Sequence, residues 1–391
     1  MTIRTISEQP YAKEYAMTGM FYSRARRRIG LMASLALLAS EAGTGRCALA
    51  ETAAENQGGE VVPVSALPSL PVEGVMPSLD GAVAWLNSPP LDTRHLRGKV
   101  VLVDFWAYSC INCIRAEPYI RAWAEKYRNQ GLVVIGVHTP EFSFETDIVN
   151  IRRAAERFGM TYPIAVDSNR AIWRAFDNEY WPALYFIDAQ GRIRHHQFGE
   201  GEYDTSERVI RQLLAEAGAQ AKTDTALVVP HARGAEAAAD MGDIRSEETY
   251  IGYEKETGFA SPRNIRRDRS ATYASGNPGL NQWSLLGNWT VGAEHATLDG
   301  PGGAITYRFR ARDLHLVLGP AAGGKPVRFQ VLIDGVPPGA DHGSDIDTAG
   351  KGIVTETRLY QLVRQSGAVR ERTFQIRFLD PGVAAYSFTF G

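Results

Sequence analysis

The chain has 391 residues, 44% of them apolar and 22% charged, and a formal net charge of −2. That length accommodates two domains, each with its own core. A charge so near zero gives no global field for holding nucleic acid or an anionic membrane surface, and nucleic-acid binding is excluded from the reading.

The one dense basic run, residues 24–28, precedes an apolar stretch at 29–39 and a small-residue segment ending Ala48-Leu49-Ala50. This charged, apolar, A-x-A order predicts a secretory signal peptide over residues 1–50, cleaved before Glu51. The apolar stretch is shorter than the roughly 20 residues that span a bilayer. An uncleaved membrane anchor is the alternative, and Arg27-Arg28 loosely fits a twin-arginine signal. The expected location is periplasmic or otherwise extracytoplasmic.

Residues 51–75, rich in Ala, Glu, Pro and Gly, predict a tether. Residues 76–218 then carry an alternating strand and helix pattern. A short leading element surrounds Val83, Trp85 and Leu86. Strands are expected at 100–106, 132–138 and 164–166, helices at 110–129 and 145–158, and a helical turn or two at 171–176. A hairpin of 183–187 and 192–198, joined by Asp188-Ala189-Gln190-Gly191, precedes a last helix at 206–215. The β-α-β order predicts an α/β domain with parallel strands.

Residues 219–245, dominated by Ala, Gly and small polar residues, predict an interdomain linker. Over 246–391 the texture changes. Apolar residues alternate at Tyr307, Phe309 and Ala311, at Phe329, Val331 and Ile333, at Phe374, Ile376 and Phe378, and at Tyr386, Phe388 and Phe390. With Gly, Pro and Asp turns between them, these predict an all-β sandwich or jelly roll.

Of three cysteines, Cys47 would leave with the signal, so the mature chain keeps Cys110 and Cys113. They form a C-x-x-C pair where a strand gives way to a helix beside a β-α-β unit. At a helix's first turn, free backbone N–H groups and the dipole stabilise a thiolate, which predicts a lowered pKa for Cys110 and makes it the attacking nucleophile. Cys113, three residues on along the same face, is the resolving thiol. Attack, mixed disulfide and release need no cofactor and no metal. Two bland alternatives stay open: half a zinc site, short of its other ligands, and a structural staple, whose loop is too small to stabilise much.

The run Asp104-Phe105-Trp106-Ala107, the cysteine pair and Pro118, eight residues after Cys110, resemble the thioredoxin superfamily. The resemblance implies that Asp104 lies beneath the pair and relays a proton for Cys113, and that Pro182, in Trp181-Pro182-Ala183, is the cis proline facing the disulfide. A cis X-Pro bond presents the preceding backbone edge to an extended substrate. Trp106, Tyr108 and Trp181 stand as substrate-binding candidates, with packing as the alternative for the first two. Glu141, just past the strand at 132–138, sits at the sheet end where α/β ligand sites gather and is a candidate for assisting proton transfer.

More narrowly, Tyr108-Ser109-Cys110-Ile111-Asn112-Cys113, the stretch from Gly136 to Phe142 and the β-rich tail resemble the soluble part of DipZ-type proteins. In that family this part follows a membrane-spanning electron carrier related to CcdA. The resemblance implies a reductant of extracytoplasmic protein disulfides, including those of cytochrome c maturation. It also implies a separate membrane electron carrier of the CcdA/DsbD type as partner.

The rival enzyme is a thiol peroxidase of the AhpC/TSA redoxin type, which would want a lone cysteine in a Pro-x-x-x-Thr-x-x-Cys setting that this sequence lacks. The rival binding protein would hold cell-wall glycan, with the first domain a non-catalytic scaffold. For it, Tyr250, Tyr253, Trp283 and Trp289 offer an aromatic platform unless they pack in the core. Asp341, His342, Asp345 and Asp347 crowd one loop but fail the EF-hand pattern and read as a polar turn. His195 and His196, adjacent on a strand, point to opposite faces and make no metal site.

Overall fold

The computed structural model describes residues 69–219 and 226–391. The predicted signal peptide, Cys47 and the tether up to residue 68 lie outside the described residues. Those described belong to one compact unit, and none of their helices is long and apolar enough to cross a membrane.

The first half is a thioredoxin-like fold. Its elements are β1 (Gly74–Val75), β2 (Ala84–Leu86), β3 (Val100–Trp106), α1 (Ile111–Tyr127), β4 (Leu132–His138), α2 (Ile148–Arg157), β5 (Ile164–Val166), α3 (Ala171–Ala175), β6 (Ala183–Ile187), β7 (Arg192–Phe198) and α4 (Tyr203–Glu216). They build one sheet in the order β1-β7-β6-β3-β4-β5-β2. The β3–β4 and β4–β5 pairs are parallel, and β3–β6 and β6–β7 are antiparallel. β3 and β4 are near-continuous apolar runs because both sheet faces are covered. Leu102 and Trp106 pack with Trp123 and Ile151 on one side, Val103 and Phe105 with Ile172 and Phe176 on the other.

Two segments expected to be free are docked. Residues 69–75 of the predicted tether pair with β7 through β1. The buried Arg194 guanidinium donates to the carbonyls of Leu70 and Pro71 at 2.7 and 3.0 Å and is itself held by Asp188 at 3.0 Å. In the predicted linker, the 3-10 turn Gly234–Glu236 packs on α1, with Glu236 3.0 Å from Arg121. The Val228 N–H donates to Glu207 at 2.7 Å. Partners distant in sequence order both segments, which local composition does not reveal.

The second half is all antiparallel: β8 (Thr249–Tyr250), β9 (Ala271–Tyr273), β10 (Gln282–Val291), β11 (Ala296–Leu298), β12 (Ala304–Arg310), β13 (Asp313–Gly319), β14 (Val327–Ile333), β15 (Lys351–Val354), β16 (Arg358–Arg364), β17 (Glu371–Phe378) and β18 (Ala384–Phe390). The main order is β15-β14-β17-β12-β10-β11-β18-β13-β16. Strand β10 serves both layers: residues 282–286 pair with β12 and 289–291 with β11. The change comes at Gly287, whose φ is +98° and whose missing Cβ would lie 3.0 Å from the Gly303 Cα, so only glycine fits there. Folded this way, the sheet encloses Trp283, Trp289, Tyr307, Phe309, Phe374 and Phe388. Trp283 and Trp289 are wholly buried, so the four-residue aromatic platform proposed from the sequence does not exist as a surface.

Candidate active site

The site forms where β3 ends. Residues 107–109 turn the chain into α1, and the Cys110 N–H closes that turn on the Ala107 carbonyl at 3.2 Å. Cys110 caps the helix: its sulfur accepts the Cys113 N–H at 3.3 Å, one of the donors a helix start leaves free. The two sulfurs are 2.7 Å apart, with Cys113 buried and Cys110 half-buried. Contrary to the sequence expectation, the Cys110 thiol is pushed up rather than down. Burial is the largest cause, and the negative charges of Glu141 and Glu248 add to it, outweighing the hydrogen bonds with Cys113. Cys113 is raised further, by burial and then by Cys110.

Beneath the pair lies a buried acidic floor. Asp104 is 1% exposed and neither carboxyl oxygen has a hydrogen-bond partner in the structure. Burial pushes it up to about 8, so it is mostly protonated at neutral pH. Glu117, on the inner face of α1, takes the Tyr162 hydroxyl at 2.8 Å and is also held well above the usual carboxylate range, by burial and then by Asp104. The sequence reading missed Glu117. Its signal was a glutamate just before Pro118 and one turn beyond Cys113, on a helix face otherwise apolar.

The loop after β4 is fixed by another residue the sequence reading missed. Glu145 is fully buried, and one oxygen accepts from the Ser109 N–H and hydroxyl at 3.1 and 2.7 Å. The other oxygen accepts from the N–H groups of Glu141 and Phe142 at 2.7 and 3.1 Å. It thereby ties the residue before Cys110 to the loop that carries Glu141.

Pro182 follows a cis peptide bond with Trp181. The next residue, Ala183, pairs with Phe105, which places the proline at the same sheet end as the cysteines. Trp181 donates to the Thr139 carbonyl at 3.1 Å, and the Arg170 guanidinium lies 5.2 Å from its ring. It keeps part of its surface open, as a substrate-contacting side chain must. Trp106 and Tyr108 do not: each is 3% exposed and packs on the buried His138 ring, at 4.8 and 5.6 Å. They are the wall behind the pair, which corrects their reading as substrate-binding residues.

The β domain covers one side of this site. Ile111 and Ile114, flanking the cysteines on α1, pack with Phe142, Val317, Leu359 and Tyr386. Arg115 is nearly buried and bridges Glu200 at 2.9 Å and the Phe390 carbonyl at 3.3 Å. Glu141 accepts the hydroxyl of Tyr250, from the β domain, and lies 3.7 Å from Lys255. Among the described residues no group of three or more His, Cys, Asp or Glu is arranged to hold a metal ion. The carboxylates of the 341–347 loop are spent on protein donors: Asp341 on Ser366 and Arg372, Asp345 on Arg358, Asp347 on Lys351.

Two family models match the chain: AhpC/TSA family over residues 86–196, and Thioredoxin like C-terminal domain over residues 246–391. Protein DipZ of Mycobacterium tuberculosis is 37% identical over 329 residues, which is 81% of this chain and 43% of that protein. This chain thus spans less than half the length of that relative. Thiol-disulfide oxidoreductase YkuV of Bacillus subtilis is 38% identical over 141 residues, 36% of this chain and 95% of that one. A solved thioredoxin-like protein in its oxidised form is 36% identical, covers 37% of this chain and 96% of its own, and superposes with a TM-score of 0.35. With nearly the whole of one relative matched over the domain that bears the cysteines, the chain belongs to the thioredoxin-like family of thiol-disulfide oxidoreductases.

Proposed function

We propose that Cys110 and Cys113 are the redox centre and that the protein reduces disulfides of extracytoplasmic proteins. The observation that carries this is the placement of two free sulfurs 2.7 Å apart at the start of α1, above a buried carboxyl. In the reducing direction, the Cys110 thiolate attacks one sulfur of the substrate disulfide. A Cys110–substrate disulfide forms, the substrate S–S bond breaks, and the departing sulfur takes a proton. Cys113 then gives up its proton and attacks Cys110, which releases the second substrate thiol and leaves the Cys110–Cys113 disulfide. A carboxyl near 8, such as Asp104, becomes a usable base for that proton as pH rises through neutrality.

The signal-like N-terminus and the likeness to DipZ support a place outside the cytoplasm, with electrons drawn from a membrane carrier of the CcdA/DsbD type. Haem-binding cysteines of cytochrome c are the substrate this reading puts first. A pair of cysteines, in place of a lone peroxidatic one, weighs against a thiol peroxidase. The burial of Trp283 and Trp289 weighs against glycan binding on an aromatic platform.

The test is the reduction potential of the protein in defined glutathione or dithiothreitol buffers, with Cys110→Ser and Cys113→Ser as controls. A two-electron couple near about −270 mV supports the reductant, and one near about −120 mV makes the protein an oxidant. No reversible couple ends the proposal.

A further inference from the structure

A crevice of about 270 Å³ lies at the domain junction, walled by parts of the chain far apart in sequence. Its apolar lining is Tyr108, Ile114 of α1, Phe158 just after α2, Ala235 of the 3-10 turn and Leu359 of β16. Four arginines, Arg121, Arg157, Arg233 and Arg358, line it as well, against two carboxylates, Glu236 and Asp345. Neither Trp181 nor Pro182 belongs to it, so it is not the edge offered to a disulfide substrate.

Both lining carboxylates are occupied. Glu236 is held by Arg121 at 3.0 Å, and Asp345 by Arg358 at 2.7 Å and by the Gln361 N–H at 2.8 Å. Arg358 also donates to Glu356 and to the Leu359 carbonyl, which engages all three of its nitrogens. Two guanidiniums keep donors to spare. Arg157 reaches Glu356 through a single nitrogen, and Arg233 has no hydrogen bond or ion pair among the described residues. Gln361 adds a third unused donor. It shares with Leu359 the face of β16 turned to α1 and is 1% exposed. Its Oε1 takes the Ser344 N–H at 3.4 Å, but its Nε2 has no acceptor. An orphaned buried donor is costly, and an acceptor brought by a ligand relieves that cost.

We propose that this crevice binds a small organic anion, an apolar body carrying carboxylates, held by Arg157, Arg233 and the Gln361 amide and resting on Ile114, Phe158 and Leu359. Spare donors beside occupied carboxylates select an anion, and the planar guanidinium fork matches a carboxylate. The apolar lining selects the body, and junctions between domains are where such pockets gather. Drug-sized sites begin near about 300 Å³, so the ligand is smaller than that class. The surplus charge is also small: four arginines face Glu236, Asp345 and the neighbouring Glu356. That balance suits a ligand of one or two charges rather than a polyanionic chain. Because α1, the 3-10 turn and β16 all contribute, the ligand ties the two domains together. The inference concerns binding alone and does not depend on the redox reading.

The test is titration calorimetry of the full chain with isophthalate, a benzene ring bearing two carboxylates, at low salt. The thermal unfolding midpoint, which a ligand of the native state raises, is the second readout. One-site binding is expected. Arg233→Ser, at an exposed position, and Arg157→Ser each weaken it at least about tenfold, the loss of one charge-assisted contact. Arg263→Ser, an exposed arginine outside the crevice, leaves the affinity unchanged. Equal weakening by Arg263→Ser would mean attraction to general surface charge and would overturn the proposal. So would inorganic phosphate binding as tightly as isophthalate, which makes the crevice a bare anion site, or tetraglutamate binding more tightly, which gives it to an acidic polypeptide. Absence of both heat and a midpoint shift up to about 10 mM isophthalate, ten times a millimolar Kd, overturns it outright. Neither readout involves a disulfide, so these outcomes stand apart from failure of the redox couple.

Discussion

Glu145 receives both the backbone N–H and the hydroxyl of Ser109, the residue before the first active-site cysteine, while its second oxygen holds two N–H groups of the loop that carries Glu141. One buried carboxyl thus fixes the distance between the attacking sulfur's turn and the loop facing it.

Glu145→Ala leaves these four donors without their acceptor inside the protein. Each unsatisfied buried group costs roughly 1–3 kcal/mol, and water entering the space recovers part of it, so a net loss of about 3 kcal/mol is expected. Urea unfolding measures the loss. The inflection of Cys110 alkylation against pH should move downward as the Glu141 loop comes free. A variant as stable as its parent would remove Glu145 from this role.

What the sequence revealed and hid follows from where each residue's partners lie. β3 and β4 were legible to the residue, since a mostly apolar run such as Val100 to Trp106 carries its own evidence. The cysteines and Asp104 were legible because a motif spaces them. β13 was not legible. Leu314, Leu316 and Leu318 enter the sandwich core while Val317 packs on α1, so burial on both faces erases the alternation that marked β12 and β17. Glu145, Glu117 and Arg115 were passed over because the partners that bury them, Ser109, Tyr162 and Glu200, are brought to them only by the fold. Trp106 and Tyr108 were misread for the opposite reason: nearness to Cys110 in sequence is not exposure beside it.

Asp104 should govern the pH dependence of stability. Its folded pKa, about 8, lies above its ordinary value, so the native state binds the extra proton between about pH 4 and pH 8. The stability it contributes is therefore full below pH 4 and is lost on rising through pH 8, at about 1.4 kcal/mol per unit crossed. Asp104→Asn removes this slope and is more stable than its parent at pH 8, as read by urea unfolding at pH 5 and pH 8. The same variant slows the resolving step, because Cys113 loses its nearby base. Equal slopes in the two proteins would show that the carboxyl ionises freely.

The order of attack separates the two cysteines. Cys113→Ser retains the attacking sulfur but cannot release the mixed disulfide, so intact mass after exposure to a disulfide peptide should show a stable adduct on Cys110. Cys110→Ser should show none, with turnover down at least about a thousandfold in both variants. An adduct on Cys113 in the Cys110→Ser protein would reverse the assignment.

Arg115 joins the cysteine-bearing helix to the end of the β domain, and its guanidinium is nearly buried against Glu200 and the Phe390 carbonyl. Removing one member of such a pair strands the other in protein, at a typical cost of 3–5 kcal/mol, whereas replacing both with apolar groups is often close to neutral. Glu200 retains 15% of its side-chain surface, so water offsets part of this. Arg115→Met is therefore expected to lose about 3 kcal/mol in guanidinium unfolding, and Arg115→Met with Glu200→Met to recover most of it. Both variants lack the guanidinium that holds the Phe390 carbonyl, so the last strand is freed from α1 in both and the Cys110 alkylation profile shifts in both, whatever stability the double variant recovers. Loss of stability with no movement of the profile would mean that α1 and the β domain are coupled in folding but not in chemistry.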